Sequence, residues 1–262
     1  MKLGIKNKTA LITGGCNGIG ESISERLAEE GTNLIVTSRS EKHIKKLKKK
    51  LKEFDIEIHG IILDFFDPKW QLRFKKEINK FKIDILVNNA GHNLSINDPY
   101  CSLDDWRKVI HLNFEVHVYI TNLLIEYMKK KDWGRIVNIT SCAGLENSGP
   151  VTYTVAKAAL TAYTRTMGRI LATECNNVVM SAIFPGVTLT DGGHWDNVLK
   201  TNPKHAEKYL SERCPLGRFG KVDEISPVVA FYCSELASFS HGAIVPVDAG
   251  QSKHFMYHNY LT

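Results

Sequence analysis

The chain has 262 residues, a length that fits one large α/β domain or two small ones. Hydrophobic residues make up 43% and charged residues 24%, which is typical of a globular protein and excludes a disordered chain. No run of about 18 apolar residues occurs, so no membrane span is expected. The first predicted strand begins too early to leave room for a signal peptide.

The six cysteines are scattered and form no C-x-x-C pair, and no histidine stands at zinc-ligand spacing from them. They are Cys16, Cys101, Cys142, Cys175, Cys214 and Cys233. We therefore expect free thiols in a reducing, cytoplasmic environment and no structural metal.

Residues 8–13 form a short apolar run that ends in glycines, the pattern of a buried parallel strand. A helical pattern follows as far as residue 28. Between them lies T-G-G-C-N-G-I-G, residues 13–20. A glycine-rich turn at such a junction presents backbone N–H groups and a helix N-terminus to an anion, so it is a candidate dinucleotide site. The alternative is a turn that needs glycine only because it is tight.

The second predicted strand, residues 33–37, is followed by Ser38 and Arg39. An acidic residue here would accept the ribose 2′-hydroxyl of NAD, whereas an arginine accommodates the 2′-phosphate of NADP. Arg39 therefore favours NADP(H) over NAD(H). The glycine turn adds no second basic residue, since Cys16 and Asn17 are neutral.

Residues 41–54 are the most basic part of the chain, with seven lysines between Lys42 and Lys52. Apolar residues recur there at helical spacing, which predicts an amphipathic helix with a solvated lysine face. Nucleic-acid binding is the alternative, but no arginine is interleaved with the lysines. We expect no nucleic-acid partner.

A third strand, residues 58–63, ends at Asp64, and Pro68 is expected to open the next helix. A carboxylate at the C-terminal edge of an open sheet can face a ligand, although Asp64 could instead cap a turn. A fourth strand begins at residue 84 and runs into an Asn-Asn-Ala-Gly turn at residues 88–91. The two amides can stabilise that turn or support a neighbouring cofactor-binding strand.

A long helix over residues 103–131 is predicted after a cap near Ser102. Asn113 lies in the middle of it, where an asparagine is only a modest helix former, which suggests a special task. A fifth strand, residues 134–140, is followed directly by Ser141.

The next helix is predicted to begin near Tyr153 and to run to residue 173. Tyr153 and Lys157 then lie one turn apart on the same face. An ammonium about 4 Å from a phenol contributes roughly 4 kcal/mol at an effective dielectric of about 20. This would move the pKa of the phenol toward neutrality, less what desolvation takes back. The pair is a candidate acid–base catalyst, unless the two residues share a helix face by chance.

A sixth strand, residues 177–184, ends at Pro185 and Gly186. Residues 187–215 are polar, with one short helix predicted from residue 203 to residue 214, and such segments are often lids. A helix over residues 223–234 and a strand over residues 243–247 complete the pattern.

The unbroken alternation of strands and helices predicts an α/β fold. Specifically, we expect a Rossmann-like doubly wound sheet of about seven parallel strands with helices on both faces. A single domain would span residues 1–262, with a substrate lid at residues 187–215 and a tail at residues 251–262 that could pack on a neighbouring subunit.

Between about residue 8 and residue 250, these motifs resemble the short-chain dehydrogenase/reductase family in its single-domain form. The matching residues are T-G-x-x-x-G-x-G at 13–20, Asp64, N-N-A-G at 88–91, Asn113, Ser141, Y-x-x-x-K at 153–157, P-G-x-x-x-T at 185–190, P-L-G-R-F-G at 215–220 and V-D-A-G at 247–250. Each motif is weak alone, but their shared order makes coincidence negligible.

The resemblance implies a catalytic tetrad of Asn113, Ser141, Tyr153 and Lys157. Tyr153 would exchange a proton with the substrate oxygen, and Ser141 would hydrogen-bond the same oxygen. Lys157 would lower the pKa of Tyr153 and bind the nicotinamide ribose, while Asn113 would hold a water that links Lys157 to solvent. Relatives pair through the helices that begin here near Leu103 and Tyr153, which implies a homo-oligomer, a tetramer or a dimer.

Cofactor contacts are predicted mainly in the turns where a strand ends and the next helix begins. The predicted cofactor-binding residues are Thr13, Gly14, Cys16, Asn17, Gly18, Ile19, Gly20, Ser38, Arg39, Asp64, Phe65, Asn89, Ala90, Gly91, Tyr153, Lys157, Pro185, Gly186, Thr188 and Thr190.

Two features depart from the family pattern. Ser141 precedes Tyr153 by twelve residues where many relatives have one more, which puts the shape of the substrate pocket in doubt. Thr188 replaces the aliphatic residue that usually faces the nicotinamide carboxamide.

The loops expected to face the substrate are rich in polar residues. The predicted substrate-binding residues are Asn93, Ser141, Glu146, Tyr153 and His194. A steroid or long acyl chain would need an apolar slot, so a sugar, polyol or other hydroxylated keto compound is favoured. The alternative is that these polar loops simply face solvent. His92 and His194 lack a third ligand at suitable spacing, so no catalytic metal is expected.

The sequence thus predicts an NADP(H)-dependent oxidoreductase that interconverts a carbonyl and a secondary alcohol on a small molecule. Two alternatives remain: a redox-silent sensor or scaffold that binds the dinucleotide, and an epimerase or dehydratase that uses transient hydride transfer. The complete tetrad argues against the first, since a scaffold would tolerate loss of Tyr153.

Overall fold

The computed structural model describes residues 1–146 and 148–253. Its strands are β1 (Thr9–Ile12), β2 (Asn33–Ser38), β3 (Ile58–Ile62), β4 (Ile85–Asn88), β5 (Gly134–Ile139), β6 (Val178–Pro185) and β7 (Ile244–Val247). Its α-helices are α1 (Gly18–Glu29), α2 (Glu41–Lys50), α3 (Trp70–Ile78), α4 (Leu103–Ile110), α5 (Val116–Lys131), α6 (Val151–Glu174), α7 (His194–Thr201), α8 (Pro203–Arg213) and α9 (Val222–Tyr232). None of these helices combines the length and the apolarity that crossing a lipid bilayer requires.

The strands form one parallel sheet in the order β3-β2-β1-β4-β5-β6-β7. The chain adds strands in one direction from β1 to β3 and then returns to place β4 on the other side of β1. Open α/β sheets bind ligands outside the carboxyl ends of their strands, at such a reversal of strand order. The predicted Rossmann-like doubly wound fold is confirmed, and β1 and β4 mark the edge at which a ligand is expected.

Helices cover both faces of the sheet because successive strand residues point to opposite sides. Ala10 and Ile12 of β1 pack on one face with side chains of α1 and α9. Leu11, between them, packs on the other face with Phe74 of α3 and Ile120 of α5. All five residues are fully buried, which explains why the strands read as nearly continuous apolar runs.

Two helices have other bounds than the sequence predicts. The lysine-rich helix ends at Lys50 instead of residue 54, because the N–H of Phe54 turns back to the carbonyl of Leu51 at 3.1 Å. Helix α3 begins at Trp70 and not at Pro68, which lies in a turn closed by a 2.9 Å bond from the Trp70 N–H to the Asp67 carbonyl.

The helix predicted over residues 103–131 is interrupted by a π-helical segment, His111–Glu115, which contains Asn113. The predicted cap is present, since the Ser102 hydroxyl oxygen accepts the Asp105 N–H at 3.2 Å. Single π turns occur frequently at functional sites, because they change the direction in which one side chain points. The unusual position of Asn113 therefore has a structural counterpart.

Residues 187–215, the segment predicted as a lid, contain two helices where the sequence predicts one. Helix α7 was missed because H-W-D-N-V-L-K-T has too few apolar residues to show a helical period. The break to α8 falls at Asn202, whose side chain accepts the His205 N–H at 3.3 Å and caps the second helix. Pro203 follows in the first turn, where a missing N–H costs little.

Candidate active site

The glycine turn after β1 rests on the Asn-Asn-Ala-Gly turn after β4. The Thr13 hydroxyl oxygen accepts the backbone N–H groups of Asn89 and Ala90, both at 2.9 Å. The Asn89 side chain donates to the carbonyls of Thr13 at 2.9 Å and Gly14 at 3.3 Å. The two motifs thus form one hydrogen-bonded unit at the reversal of strand order, and the amide of Asn89 supports the glycine turn.

Close approach explains the glycines of this turn. A Cβ at Gly20 would overlap the Gly14 carbonyl oxygen and lie 2.6 Å from the amide nitrogen of Asn89. Gly18 has a φ of +52°, and a Cβ there would lie 3.1 Å from the methyl carbon of Thr190. Thr190, in the segment predicted as a lid, therefore lies close to the N-terminus of α1, which is the end of a helix that favours an anion.

The base of the lid is tied to the C-terminal segment. Pro185 ends β6, and the Thr188 hydroxyl donates to the carbonyl of Gly186 at 3.0 Å. The Val187 N–H donates to the side-chain oxygen of Gln251 at 2.7 Å. The predicted cofactor positions 185–190 thus follow directly on the carboxyl end of β6.

Arg39 directly follows the carboxyl end of β2. Burial, followed by the positive charges of Arg39 and His194, lowers the pKa of His92, which follows β4. The side-chain amide of Asn17 lies 2.9 Å from the Nδ1 of His43, a residue that the sequence analysis does not single out. The contact with His43 thus connects the glycine turn to α2, and the charge of Arg39 acts on the loop after β4.

The neighbouring Cys16 and Ser38 lie at the same edge of the sheet. Burial and the charge of Glu21 raise the pKa of the Cys16 thiol to about 11, so this thiol is neutral at physiological pH. The Ser38 hydroxyl oxygen accepts the Ser40 N–H at 3.1 Å. All six cysteines are free, as predicted.

Asp64 caps a turn after β3. Its carboxylate accepts the Phe66 N–H at 3.0 Å, which is the alternative that the sequence left open. Phe65 is buried, with its ring edge-on to Trp70 at 5.1 Å, and its carbonyl lies 2.9 Å from the ring nitrogen Nε2 of His111. A cofactor contact by Asp64 or Phe65 stays a prediction.

Asn113 fastens the loop after β4 to the π-helical segment. Its side-chain oxygen accepts the His92 N–H at 3.1 Å, and its amide donates to the carbonyls of His92 at 2.9 Å and Val109 at 2.8 Å. A Cβ on Gly91 would lie 2.7 Å from the Asn113 Oδ1 and 2.9 Å from the Lys157 Nζ. The missing side chain of Gly91 therefore lets Asn113 and Lys157 approach the same point.

Ser141, Tyr153 and Lys157 meet where β5 ends and α6 begins. Ser141 lies within hydrogen-bonding reach of the Tyr153 hydroxyl, and its own oxygen accepts the Ala143 N–H at 3.2 Å. The Lys157 Nζ donates to the Ile139 carbonyl at 2.9 Å and lies 5.7 Å from the centroid of the Tyr153 ring. The structure thus brings the four residues of the predicted tetrad together.

Burial dominates the electrostatics of this group. It lowers the pKa of Lys157, which is only 2% exposed, to about 7. Tyr153 is half-buried by area, yet enough protein surrounds its phenol for burial to raise its pKa to about 12, against a smaller lowering by the Ser141 hydrogen bond.

The predicted lowering of the Tyr153 pKa by Lys157 is therefore wrong for this structure. The ammonium is directed to the Ile139 carbonyl instead of the phenol, and desolvation weakens its charge. At neutral pH the phenol is protonated, which is the form that can donate a proton.

Two cavities lie between the lid and the loops that follow β4 and β5. The smaller, about 120 Å³, is lined by His92, Asn93, Ser95, Asn97, Gly192, Gly193, His194 and Asn197. The larger, about 510 Å³, is lined by Ser148, Gly149, His194, Trp195, His205, Lys208, Tyr209, Glu212 and Arg213. A Cβ on Gly149 would lie 3.6 Å from the Tyr153 ring, so the larger cavity adjoins the tetrad. Its volume suits a small organic molecule.

The predicted substrate residues have different surroundings. His194 lines both cavities, and Asn93 lines the smaller one, where its amide donates to the Asn97 oxygen at 3.2 Å. The Glu146 carboxylate instead accepts the Ser252 hydroxyl at 2.9 Å and the Lys253 N–H at 2.8 Å. Of the predicted tail, residues 254–262 lie outside the described residues.

Sequence reasoning missed the aromatic residues that hold the lid helices together. The Trp195 ring lies 4.3 Å from Tyr209 and 5.2 Å from Phe219, and it stacks on His205 at 6.1 Å. The Tyr209 hydroxyl accepts the side-chain amide of Gln251 at 2.9 Å. An unusual tryptophan in a polar segment was the available signal, but its partners are distant in sequence.

Within residues 1–146 and 148–253, no three His, Cys, Asp or Glu side chains come together as a metal ion would require. Catalysis without a metal stays a prediction.

Comparison with known families decides what this arrangement of motifs is. The family model described as short chain dehydrogenase matches residues 8–197, well over half of the chain. The chain belongs to the short-chain dehydrogenase/reductase family. It is accordingly an oxidoreductase of that family.

Several curated relatives span almost the whole chain. The 3-oxoacyl-[acyl-carrier-protein] reductase of Aquifex aeolicus is 35% identical over 254 residues, which cover 95% of this chain and 99% of the relative. Among solved structures, the L-sorbose reductase of Gluconobacter frateurii, complexed with NADPH and L-sorbose, has a TM-score of 0.87 and 27% identity, covering 97% of this chain and 99% of that one. Levodione reductase has a TM-score of 0.86 and 27% identity, covering 96% and 100%.

Proposed function

We propose that this protein is an NADP(H)-dependent oxidoreductase that interconverts a carbonyl and a secondary alcohol on a polar, hydroxylated small molecule. The observation that carries the proposal is the convergence of Asn113, Ser141, Tyr153 and Lys157 beside a cavity of about 510 Å³. In the same proposal, residues 187–215 act as the lid of a single domain.

The residues at the reversal of strand order fit a dinucleotide. Gly14, Gly18 and Gly20 leave backbone exposed where side chains would fill the turn, and the N-terminus of α1 favours a phosphate there. Arg39 would hold the 2′-phosphate of NADP, and Lys157 would hold the nicotinamide ribose. The nicotinamide cofactor supplies the hydride.

The chain itself manages the proton on the substrate oxygen. In reduction, the neutral phenol of Tyr153 donates its proton to the carbonyl oxygen as negative charge develops there. The Ser141 hydroxyl donates a hydrogen bond to the same oxygen, in a position fixed by the end of β5. Asn113 holds the loop after β4 in place beside Lys157 through its hydrogen bonds with the His92 backbone.

The cavity supports a hydroxylated substrate. Apart from Trp195 and Gly149, its lining residues carry hydroxyl, imidazole, ammonium, guanidinium or carboxylate groups. Polar lining of this kind suits a molecule with several hydroxyls, and the similarity to L-sorbose reductase points the same way. A 3-oxoacyl thioester is the second candidate, because the Aquifex reductase is 35% identical. The polar lining favours the first.

We also propose that the protein acts as a homo-oligomer in the cytoplasm. Leu103 and Val155, at or near the starts of α4 and α6, are 71% and 43% exposed, so these helices have apolar side chains available to a second copy.

Substrate assays with NADPH and NADH test the proposal. The panel pairs ketoses with their polyols, includes keto sugar acids, and adds an acetoacetyl thioester, with Tyr153→Phe as control. Reduction of a ketose by wild type but not by the variant is expected. Preference for the thioester would instead support the acyl reductase. Cofactor binding without any turnover would favour a sensor, and product formation without net cofactor consumption an epimerase or dehydratase.

A further inference from the structure

His117 is a fully buried imidazole for which the proposed mechanism has no role. It lies on α5, about one turn after Asn113, and its exposed fraction is 0%. Among the described residues, neither its Nδ1 nor its Nε2 has a hydrogen-bond partner. Buried polar groups in native proteins nearly always have a partner, so two unpartnered nitrogens on one ring require an explanation.

The charged neighbour of this imidazole is Lys157. Burial, followed by the positive charge of Lys157, lowers the pKa of His117 to about 3, and the nearby backbone of Ala90 only partly opposes this. The imidazole is therefore neutral at every pH at which the protein would work. A neutral imidazole has one N–H donor and one acceptor nitrogen. The N–H is directed toward the Ala90 backbone without a full hydrogen bond, so the acceptor nitrogen is the one left available.

The groups around His117 belong to a wider buried polar layer. Asn88 of β4 donates to the Thr121 hydroxyl at 3.2 Å and to the Asn138 oxygen at 2.8 Å, but its own side-chain oxygen has no partner within the described part of the chain. Thr121 lies one turn after His117. Tyr163 of α6 directs its hydroxyl toward Thr121 without a full hydrogen bond. The asparagines and the threonine carry no charge, whereas Lys157, Tyr153 and Tyr163 are titratable residues of α6.

Unpartnered polar atoms that lie together in a closed interior indicate ordered water. The Lys157 ammonium has three protons and gives one to the Ile139 carbonyl. A Cβ on Gly91 would lie 2.9 Å from the Lys157 Nζ, and the adjacent backbone of Ala90 lies beside the His117 ring, so the acceptor nitrogen of His117 is near the ammonium. A water molecule can accept from the ammonium and donate to the imidazole.

Building on the proposed function, we propose that His117 is a positioning residue for Lys157: its neutral imidazole accepts a hydrogen bond from a buried water that accepts one from the ammonium. No bond is made or broken and no proton is transferred. Because the water and the imidazole favour the charged form, His117 keeps the pKa of Lys157 higher than burial alone would leave it. Lys157 then holds more positive charge at neutral pH for the contact with the nicotinamide ribose that is proposed for it.

The test compares His117→Leu, which removes both ring nitrogens, with His117→Gln, which keeps a donor and an acceptor. Thr121→Val is the matched control, because it removes a buried polar group on the same helix face one turn away. The measurement is the titration of Lys157 in protein labelled with ¹³C-lysine, with the signal assigned by its loss in Lys157→Met. This readout needs neither substrate nor cofactor.

We expect His117→Leu to lower the titration midpoint of Lys157 by about one pH unit. His117→Gln should stay within a few tenths of a unit of wild type, and Thr121→Val should not shift the midpoint. The pH profile of kcat should move with that midpoint. An unchanged midpoint in His117→Leu, or an equal shift in Thr121→Val, would overturn the proposal.

A high-resolution structure of the wild-type protein gives a second test if His117→Leu does not fold. A water within hydrogen-bonding distance of both His117 and the Lys157 Nζ is expected, and its absence would contradict the proposal. Failure of the proposed function looks different: no member of the substrate panel would be turned over, while the Lys157 titration would still respond to His117.

Discussion

Two cations are buried at opposite ends of the same strand and are treated in opposite ways. Arg135, at the start of β5, is fully buried and donates to the carbonyls of Gly134, Asn177 and Ser234 at 2.7–2.9 Å. Lys157, beside the end of β5, is equally buried but has one such bond, to the Ile139 carbonyl.

The difference in partners appears in the electrostatics. Burial lowers the pKa of Arg135 to about 10, so the guanidinium keeps its charge at any physiological pH. Burial lowers the pKa of Lys157 to about 7, where the charge can change. A fully hydrogen-bonded cation stabilises a fold, whereas an incompletely bonded one is adjustable, as catalytic groups are. The comparison distinguishes two edges of the sheet. At the amino edge, where the strands begin, the buried cation has a structural role, and at the carboxyl edge, where the strands end, the buried cation belongs to the candidate active site.

The largest expected effect lies at the carboxyl edge. Tyr153→Phe removes the proton donor, and we expect kcat to fall by roughly 10²–10⁴-fold. NADPH affinity, measured by fluorescence titration, should change little because the ring remains. Substantial residual turnover would show that another group supplies the proton.

At the amino edge, Arg135→Met should affect stability and not chemistry. It leaves several buried carbonyls without donors, each costing about 1–3 kcal/mol, so the free energy of unfolding should fall by several kcal/mol. Urea denaturation measures this, with Arg169→Met on the exposed face of α6 as control. If Arg135→Met were as stable as the control, the structural role of this edge would be refuted.

Arg39→Ala tests the selectivity of the carboxyl edge for the cofactor. Loss of a charged contact to the 2′-phosphate should weaken NADPH binding by about 10-fold or more and leave NADH nearly unchanged. Lys49→Ala, on the exposed face of α2, is the control for a general loss of positive charge. Equal losses for the two cofactors would overturn the preference for NADP(H).

A separate effect is a pH dependence of stability. The pKa of Lys157 falls from 10.5 to about 7 on folding, so between these values the unfolded state binds more protons. The free energy of unfolding should therefore gain a rising contribution from pH 7 toward pH 10. Above pH 10 this is opposed by Tyr153, whose pKa rises from 10.0 to about 12 on folding.

Lys157→Met should remove that rise, and Lys49→Met should not. Urea denaturation at several pH values gives the slopes. The same rise in Lys157→Met as in wild type would show that Lys157 is not the group responsible.

The sequence by itself predicted the fold, which the structure confirms, and supplied the candidate members of the site. Apolar runs ending in glycine, alternating with helical patterns, were enough to predict the parallel sheet, because strands buried on both faces leave that pattern in any sequence. The order of short motifs carried a family resemblance, and that resemblance implied Asn113, Ser141, Tyr153 and Lys157 as a catalytic group, which the structure brings together near the carboxyl end of β5.

Only the tertiary structure decided how those groups behave. The spacing of Tyr153 and Lys157 predicted a lowered phenol pKa, but desolvation and the direction of the ammonium depend on neighbours distant in sequence, such as Ile139. Three other features also depend on residues that are distant in sequence. They are the hydrogen bond from Ser252 to Glu146, the contact between Trp195 and Tyr209, and the lack of a hydrogen-bond partner for the His117 ring among the described residues. Local periodicity reports which face of an element is buried, whereas the partners and pKa of a buried group are fixed only when separate elements pack together.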